Sequence, residues 1–325
     1  MYGEAGEYYL LLLRNIKETL EKYNLLNLKE SLKGDSMSFS FWSNTIWYIL
    51  LLITSIFSMI LTLYKTYNLK FTIAFLFSVI GFTFILEAIL TIGLNAYTYH
   101  PKIVSDRFLD AVFGNYFSQI SISSTALLIT IFNLSYIWYF VFAFIYYVIE
   151  ELFVKLGIFE HFWYKSIYTL IGFIPFFWFV KKWYGKTKDS VNYYVNYISL
   201  FLSVFTINSF TIILSQRLLG IQIFKGNFFT EMSKDHTTTG LIYQFFQINI
   251  LIVLYKSRLH WVKKGMVFLF LFIVQYLLYS AGFLYIGDGW FFVVTIFDLL
   301  GCYCWIAAIH YLLAKEITTL HSGES

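Results

Sequence analysis

The feature that most constrains the fold of this chain is a row of about nine long stretches of aliphatic and aromatic residues with almost no charge. One of them, 41–64, runs 24 residues without a charged side chain. An α-helix rises about 1.5 Å per residue and the hydrocarbon core of a bilayer is about 30 Å thick, so roughly 20 apolar residues can cross it. The sequence therefore predicts an all-α, polytopic transmembrane helix bundle.

The composition agrees with a chain whose surroundings are the lipid bilayer. Hydrophobic residues make up 59% of the sequence and charged residues 13%, and the mean hydropathy is +0.67, all outside the range of a soluble globular domain. The net charge of +4 comes from basic residues in short loops, a pattern that sets membrane orientation and does not indicate nucleic acid. We expect a multi-pass protein of the cell membrane, and nothing in the sequence indicates a protein partner.

The pattern along the chain divides it into three parts. Residues 1–38 form an N-terminal amphipathic helix and linker, 39–316 form the transmembrane helical domain, and 317–325 form a short polar tail. No internal repeat is evident, which favours one domain. Segment 102–118 is mixed and is predicted to be an interfacial helix, and Pro175 predicts a kinked or incomplete fifth span. The candidate spans are 41–64, 71–97, 115–134, 136–155, 164–181, 192–216, 239–255, 265–286 and 290–314.

Basic loops predict the orientation. The loops KKWYGKTKDS and KSRLHWVKK are separated by two spans and therefore share a face, which should be cytoplasmic. With nine crossings the C-terminus is then cytoplasmic and the N-terminus lies outside. The N-terminal segment is itself basic, so an arrangement of eight crossings with both ends inside, in which one early segment is re-entrant, stays open as the alternative.

A few acidic residues lie where a membrane makes them expensive. Glu87 and Asp298 fall well inside predicted spans, where a charge costs roughly 2.5–3.5 kcal/mol, so each needs a partner, a cavity or a change of protonation. Glu150 and Glu151 end the fourth span in YYVIEELFVKLG. With nine crossings these acids gather toward the extracytoplasmic side, although acids outside and bases inside is also what topology alone produces.

The densest polar segment continues from Glu150 and Glu151 to Glu160 and His161. It predicts a carboxylate–histidine site at the membrane surface, in which Glu151, Glu160 and His161 could hold a divalent cation, or one carboxylate could move a proton. The alternative is an interfacial turn, in which Gly157 ends the helix and aromatic residues anchor at the headgroups.

A secondary candidate site comprises His100, Asp106 and Asp110. Asp106 and Asp110 are four residues apart and so share a helical face, as a cation or diphosphate–magnesium site would require. Arg107 beside them could equally form an ordinary salt bridge. Buried amides in later spans are expected to join helices by hydrogen bonds, or alternatively to line a polar path; they are Asn208, Gln244, Gln247, Asn249 and Gln275.

The stretch VIEELFVKLGIFEHFWYKSIYTLIGF, preceded by the NLSYIWYF run at 133–140, carries a family resemblance over roughly 60 residues. It resembles a segment of uncharacterised multi-pass membrane proteins of spore-forming Bacillus-type bacteria. The resemblance implies a membrane protein and lends no catalytic residues. The matching residues are Glu150, Glu151, Gly157, His161, Trp163 and Tyr164.

Two functions of different classes fit these observations. The first is a permease-like or envelope-associated component that handles a cation or small solute through buried acids, chiefly Glu87 and Asp298. The second is a membrane-embedded enzyme that acts on a lipid or isoprenoid at the outer face, with Glu150, Glu151, Glu160 and His161 as its acid/base or metal-binding groups.

Overall fold

A computed structural model describes residues 41–189, 192–212, 221–287 and 289–314, so the predicted N-terminal helix and polar tail lie outside the described residues. Over these ranges the chain forms nine α-helices and four short strands. The helices are α1 (Ile46–Lys65), α2 (Leu69–Ala88), α3 (Arg107–Ile131), α4 (Tyr136–Lys155), α5 (Ser166–Lys188), α6 (Tyr193–Ile212), α7 (Met232–Lys256), α8 (Trp261–Ser280) and α9 (Phe291–Leu313). The strands are β1 (Tyr97–Tyr99), β2 (Phe159–His161), β3 (Gln222–Phe224) and β4 (Leu284–Ile286).

The predicted all-α, membrane-embedded class is confirmed. One helix occupies each of the nine predicted stretches, and six of the helical segments are long and apolar enough to cross a membrane. Helix α3 is not among the six because it lies inside the bundle, where many of its buried residues are Ser and Thr. The six segments are Phe41–Lys65, Leu69–Gly93, Tyr136–Lys155, Met232–Lys256, Trp261–Ser280 and Phe291–Leu313.

Several predicted boundaries were wrong. The second span ends in a π-helical segment, Ile89–Gly93, and the residues that follow form β1. Most of the mixed segment 102–118 is the first part of α3. Helix α5 continues through Pro175 as one element, and α7 begins at Met232, seven residues before the predicted span 239–255.

The strands form two antiparallel ribbons at one end of the bundle, which we call the ribbon end. Strand β1 follows α2 and pairs with β2, which follows α4, with Tyr97 opposite His161. Strand β3 follows α6 and pairs with β4, which follows α8. At the opposite end, the Lys181 ammonium donates to the carbonyl of Leu134 in the α3–α4 turn at 2.9 Å. Because most of the Lys and Arg residues in the described ranges lie there, we call it the basic end.

The elements after α1 form two consecutive units with the same order, helix–strand–helix–helix–strand–helix. The N-terminal unit is α2–β1–α3–α4–β2–α5 and the C-terminal unit is α6–β3–α7–α8–β4–α9. Helices α3 and α7 each have 25 residues and begin 125 positions apart, at Arg107 and Met232. Helices α4 and α8 have 20 residues each, and α5 and α9 have 23 each, at the same offset. The prediction of no internal repeat was therefore wrong.

Two further details recur at this offset. Gly157 and Gly282 follow α4 and α8, and both have positive φ, 69° and 79°, which glycine adopts without steric cost. Asp110 and Asp235 stand at the fourth position of α3 and α7, and each carboxylate accepts backbone N–H bonds from the preceding loop. Each unit thus has a glycine after one helix and an aspartate in the first turn of another, at matching positions.

Helices α2 and α6 join the two units along their length. The Ser78 hydroxyl donates to the Ser199 carbonyl at 2.9 Å, and the Ser203 hydroxyl donates to the Ala74 carbonyl at 2.8 Å. The two hydroxyl oxygens are themselves 2.7 Å apart. Since Ser78 and Ser203, and likewise Ala74 and Ser199, are equivalent positions, these reciprocal bonds indicate a pseudo-twofold axis parallel to the helices.

Candidate functional site

The N-terminal unit holds a cavity of about 220 Å³ near the ribbon end. Glu87 from α2 and Glu150 from α4 both line it, so two of the predicted site residues meet in one space. Strand β1 and helices α3 and α5 complete the walls. The other polar and aromatic lining residues are Thr83, Tyr97, Tyr99, Ser118, Gln119, Phe159, Tyr164, Tyr168, Thr169, Phe173 and Phe176.

Glu87 is held by two tyrosines of β1. The Tyr97 hydroxyl donates to Oε2 at 2.7 Å and the Tyr99 hydroxyl donates to Oε1 at 2.9 Å. Side chains two apart on a strand share a face, which is why both tyrosines reach the same carboxyl. Burial raises the pKa of Tyr97 and Tyr99 well above the ordinary value, so both hydroxyls keep their protons and remain donors. Glu87 itself is only 6% exposed.

Glu150 is held by a histidine and a threonine. The His161 Nε2 lies 2.8 Å from Oε1, and the Thr169 hydroxyl donates to Oε2 at 2.5 Å. The Tyr164 hydroxyl lies 3.0 Å from the Thr169 hydroxyl, and burial raises the pKa of Tyr164 to about 12. Strand β2 aims His161 at Glu150, and the start of α5 supplies Thr169. Each oxygen of both carboxyl groups therefore has a hydrogen-bond partner.

The cavity faces the side of the bundle between α2 and α5. Leu86, Tyr168 and Gly172 line it and are exposed on the outer surface. Toward the basic end, Phe82 packs on Phe176 with ring centroids 6.3 Å apart. A ligand would therefore reach the two carboxyl groups from the ribbon-end half of the bundle, where the helix surfaces are apolar.

The predicted divalent-cation set does not assemble. Glu151 points about 100° away from Glu150 on the helix and is exposed. Glu160 lies on the opposite face of β2 from His161, because strand side chains alternate, and it pairs with His100 at 3.2 Å. Within the described ranges, no group of three or more His, Cys, Asp or Glu side chains could hold a metal ion.

The secondary candidates have structural roles. Asp106 caps α3 by accepting from the Leu109 amide at 2.7 Å, and it also bonds the Ser233 hydroxyl of α7. Asp110 accepts backbone N–H bonds at 2.7–3.2 Å from three consecutive residues of the β1–α3 loop, Lys102, Ile103 and Val104. A carboxylate that already satisfies three amides is engaged in holding the loop. Neither Asp106 nor Asp110 lines the cavity.

Asp298 lies apart from this cavity, in the C-terminal unit. Its Oδ2 accepts from the amide groups of Gln247 and Gln275, each at 3.0 Å. The expectation that buried amides join helices is met here, because Gln247 on α7 and Gln275 on α8 both bond to Asp298 on α9. The sequence analysis thus grouped together acids that the structure divides between two separate polar centres.

Three important site residues escaped the sequence analysis: Tyr97, Tyr99 and Thr169. Tyr97 was counted as the end of an apolar span and Tyr99 fell just beyond it, although a Tyr-Thr-Tyr alternation at the end of a span is a strand signal. Thr169 is one hydroxyl among many in an apolar helix. Only the fold brings it within hydrogen-bond distance of Glu150.

Comparisons with protein-family models, curated proteins and solved structures found no match to this chain.

Proposed function

We propose that this chain is a permease-like membrane protein that binds a small organic cation in the cavity of the N-terminal unit. The observation that carries the proposal is the meeting of two carboxyl groups, Glu87 and Glu150, in one cavity with aromatic walls. A cation between them would offset the cost of keeping carboxylates at membrane depth.

The surrounding charges favour a cationic ligand. The hydrogen-bond donors to the two carboxyl groups include three hydroxyls and one imidazole. In the described part of the chain, neither Glu87 nor Glu150 forms an ion pair with Lys or Arg. His161 is thus the one side chain that can compensate a negative charge there, and two carboxylates exceed what it can neutralise.

An organic cation fits this cavity better than a metal ion does. Divalent metal ions need several free oxygen ligands, whereas each carboxyl oxygen here already accepts a hydrogen bond. An ammonium group can donate to the remaining lone pairs and can lie against aromatic faces, an arrangement worth about 0.5–2 kcal/mol per ring. The rings of Tyr164, Tyr168 and Phe173 line the cavity and provide such aromatic faces.

The proposed topology has nine crossings with alternating directions. The basic end faces the cytoplasm, because Lys and Arg are retained on that side, and the C-terminus lies there. The ribbon end and the cavity then face outward. We propose further that the protein lies in the cell membrane and is related to the multi-pass membrane proteins of Bacillus-type bacteria that the segment around Glu150 resembles.

The test is equilibrium binding of labelled choline, ethylammonium and agmatine to the purified full chain in detergent. We expect saturable binding of at least one probe, weakened about tenfold or more by Glu87→Gln and by Glu150→Gln, as loss of a charged partner requires. Glu151→Gln is the matched control, because this neighbouring carboxyl is exposed. Absence of binding for all three probes, or equal weakening by Glu151→Gln, would overturn the proposal.

Transport is then tested with the same probes in proteoliposomes. We expect uptake of the bound probe that Glu87→Gln and Glu150→Gln remove and Glu151→Gln retains. Binding without uptake would contradict a permease and leave a receptor-like role for the same site.

The lateral opening between α2 and α5 supports a second candidate, an enzyme that acts on a lipid. In this case the Glu150–His161 pair would act as a general acid or base on a headgroup presented from the membrane. Incubation with vesicles of mixed phospholipids, followed by mass spectrometry, would reveal a product that His161→Asn abolishes. Unchanged lipids in the presence of the unmodified protein would exclude this candidate for those lipids.

A further inference from the structure

A second buried polar cluster lies in the C-terminal unit, among α7, α8 and α9. The Oδ2 atom of Asp298 accepts from Nε2 of Gln247 and from Nε2 of Gln275, both at 3.0 Å. Gln247 is 1% exposed and Gln275 is fully buried. Both amide groups therefore donate from nitrogen to the same carboxylate oxygen. Their own oxygens do not take part in these bonds and lie next to the carboxylate.

Four buried oxygens of this cluster form no hydrogen bond of ordinary geometry with the described residues, and the Tyr243 hydroxyl lies beside the Gln275 amide. The four oxygens are the Tyr243 hydroxyl, Oε1 of Gln247, Oε1 of Gln275 and the Thr295 hydroxyl. Thr295 precedes Asp298 by three residues and Tyr243 precedes Gln247 by four, so each lies one helical turn from a member of the pair. A buried polar group without a partner costs about 1–3 kcal/mol, so four of them around one carboxylate require an explanation.

The cluster occupies the place that the cavity occupies in the other unit. Tyr243, Gln247, Gln275 and Asp298 are 125 positions after Ser118, Ile122, Glu150 and Phe173, and all four of these earlier residues line the N-terminal cavity. Two units with the same backbone thus place a carboxyl group at the same location, from different helices.

We propose that Asp298, Gln247, Gln275, Tyr243 and Thr295 bind a dehydrated monovalent metal ion, Na⁺. The free atoms of the cluster are all oxygens, which are the ligands of hard cations. A single carboxylate neutralises one positive charge, whereas divalent sites use more than one. The ion supplies the positive charge that Asp298 lacks at membrane depth and a partner for the four oxygens. This site is separate from the cavity of the N-terminal unit and does not depend on its ligand.

The experiment measures thermal unfolding of the full chain in detergent in NaCl and in CsCl at equal ionic strength. Cs⁺ carries the same charge and is too large for a cluster of this kind. We expect a saturable rise in the unfolding midpoint with Na⁺ and little or none with Cs⁺, because a ligand bound only to the folded state stabilises it. Asp298→Asn should abolish the Na⁺-dependent rise. Calorimetric titration with NaCl gives the affinity directly.

Two conservative variants keep the proposal testable even if Asp298→Asn does not fold. Tyr243→Phe and Thr295→Val each remove one unpartnered oxygen with little change of shape, and each should weaken Na⁺ binding several-fold. Glu150→Gln, in the other unit, should leave the Na⁺ response intact, which separates this test from that of organic-cation binding. Equal midpoints in NaCl and CsCl, or an unchanged Na⁺ affinity in Tyr243→Phe and Thr295→Val, would overturn the proposal.

Discussion

The two units of this molecule share a backbone plan and differ in what they do with it. The N-terminal unit has a cavity of about 220 Å³ with two carboxyl groups and a histidine beside it. The C-terminal unit has a compact cluster of one carboxylate and two amides. Glu150 and Gln275 stand at equivalent positions. The comparison shows that the shared arrangement of helices and strands determines where the polar side chains lie, while a few substitutions determine which ligand those side chains can bind.

The parts that the units share are those that hold the frame together. The carboxylates at the start of α3 and α7, the positive-φ glycines after α4 and α8, and the paired serines of α2 and α6 occur at matching positions. The residues around the two polar centres differ at almost every matching position.

The largest effect is expected at Gly81, where α2 packs directly against the backbone of α6. A Cβ atom at Gly81 would lie 2.3 Å from the Leu202 carbonyl oxygen, which is backbone and cannot move aside. Gly81→Leu should therefore separate the units and cost about 3 kcal/mol or more, since overpacking alone typically costs 1–3. Thermal unfolding and yield of monodisperse protein measure it. Gly265→Leu on α8 is the control, because nothing lies within 4 Å of its Cβ position.

The next effect concerns the two loop-holding carboxylates, which should behave alike. Asp110 accepts three backbone N–H bonds and Asp235 accepts four. Asp110→Asn and Asp235→Asn each replace charged by neutral acceptors, and each should lower the free energy of unfolding by about 2–3 kcal/mol. Chemical or thermal unfolding gives the values. A large loss for one variant and none for the other would contradict the equivalence of the units.

A smaller effect is expected where the pseudo-twofold axis passes between Ser78 and Ser203. Each hydroxyl bonds a backbone carbonyl of the partner helix, and interhelical hydrogen bonds in membranes average about 0.6 kcal/mol. Ser78→Ala and Ser203→Ala should therefore destabilise the protein by similar, small amounts. Ser78→Cys combined with Ser203→Cys, without Cys302 and Cys304, should form a disulfide on mild oxidation. Failure to cross-link would place the two helices further apart than described.

The sequence was sufficient to predict the lipid surroundings of the chain, the helices of its described residues and part of the site. Hydrophobic length alone located the nine helices of the described residues, the cost of charge in a membrane identified Glu87 and Asp298 as residues in need of partners, and the dense polar segment identified Glu150. It could not divide them between two centres, because Glu87 and Glu150 meet only through the pairing of β1 with β2. The apolar stretches of the sequence also extended beyond the ends of the helices, so that Tyr97 was counted within a span.

The repeat was missed for a related reason. An apolar, lipid-facing helix accepts many different side chains at each position, so two copies of one backbone plan can share few residues. Gly157 and Gly282 match because a positive φ demands glycine, and Asp110 and Asp235 match because loop amides demand an acceptor. Those constraints act on single positions far apart in the sequence, and only the structure makes their common offset visible.

The most direct test of the central claim compares accessibility at equivalent positions of the two units. Glu150→Cys and Gln275→Cys are made separately in a protein that carries Cys302→Ala and Cys304→Ala, and the rate of reaction with a small cationic thiosulfonate is measured. A thiol in an accessible site reacts, whereas one that is fully buried is inert. We predict that Glu150→Cys reacts about tenfold or more faster than Gln275→Cys. Equal rates, or faster reaction of Gln275→Cys, would contradict the distinction between an open and a closed polar centre.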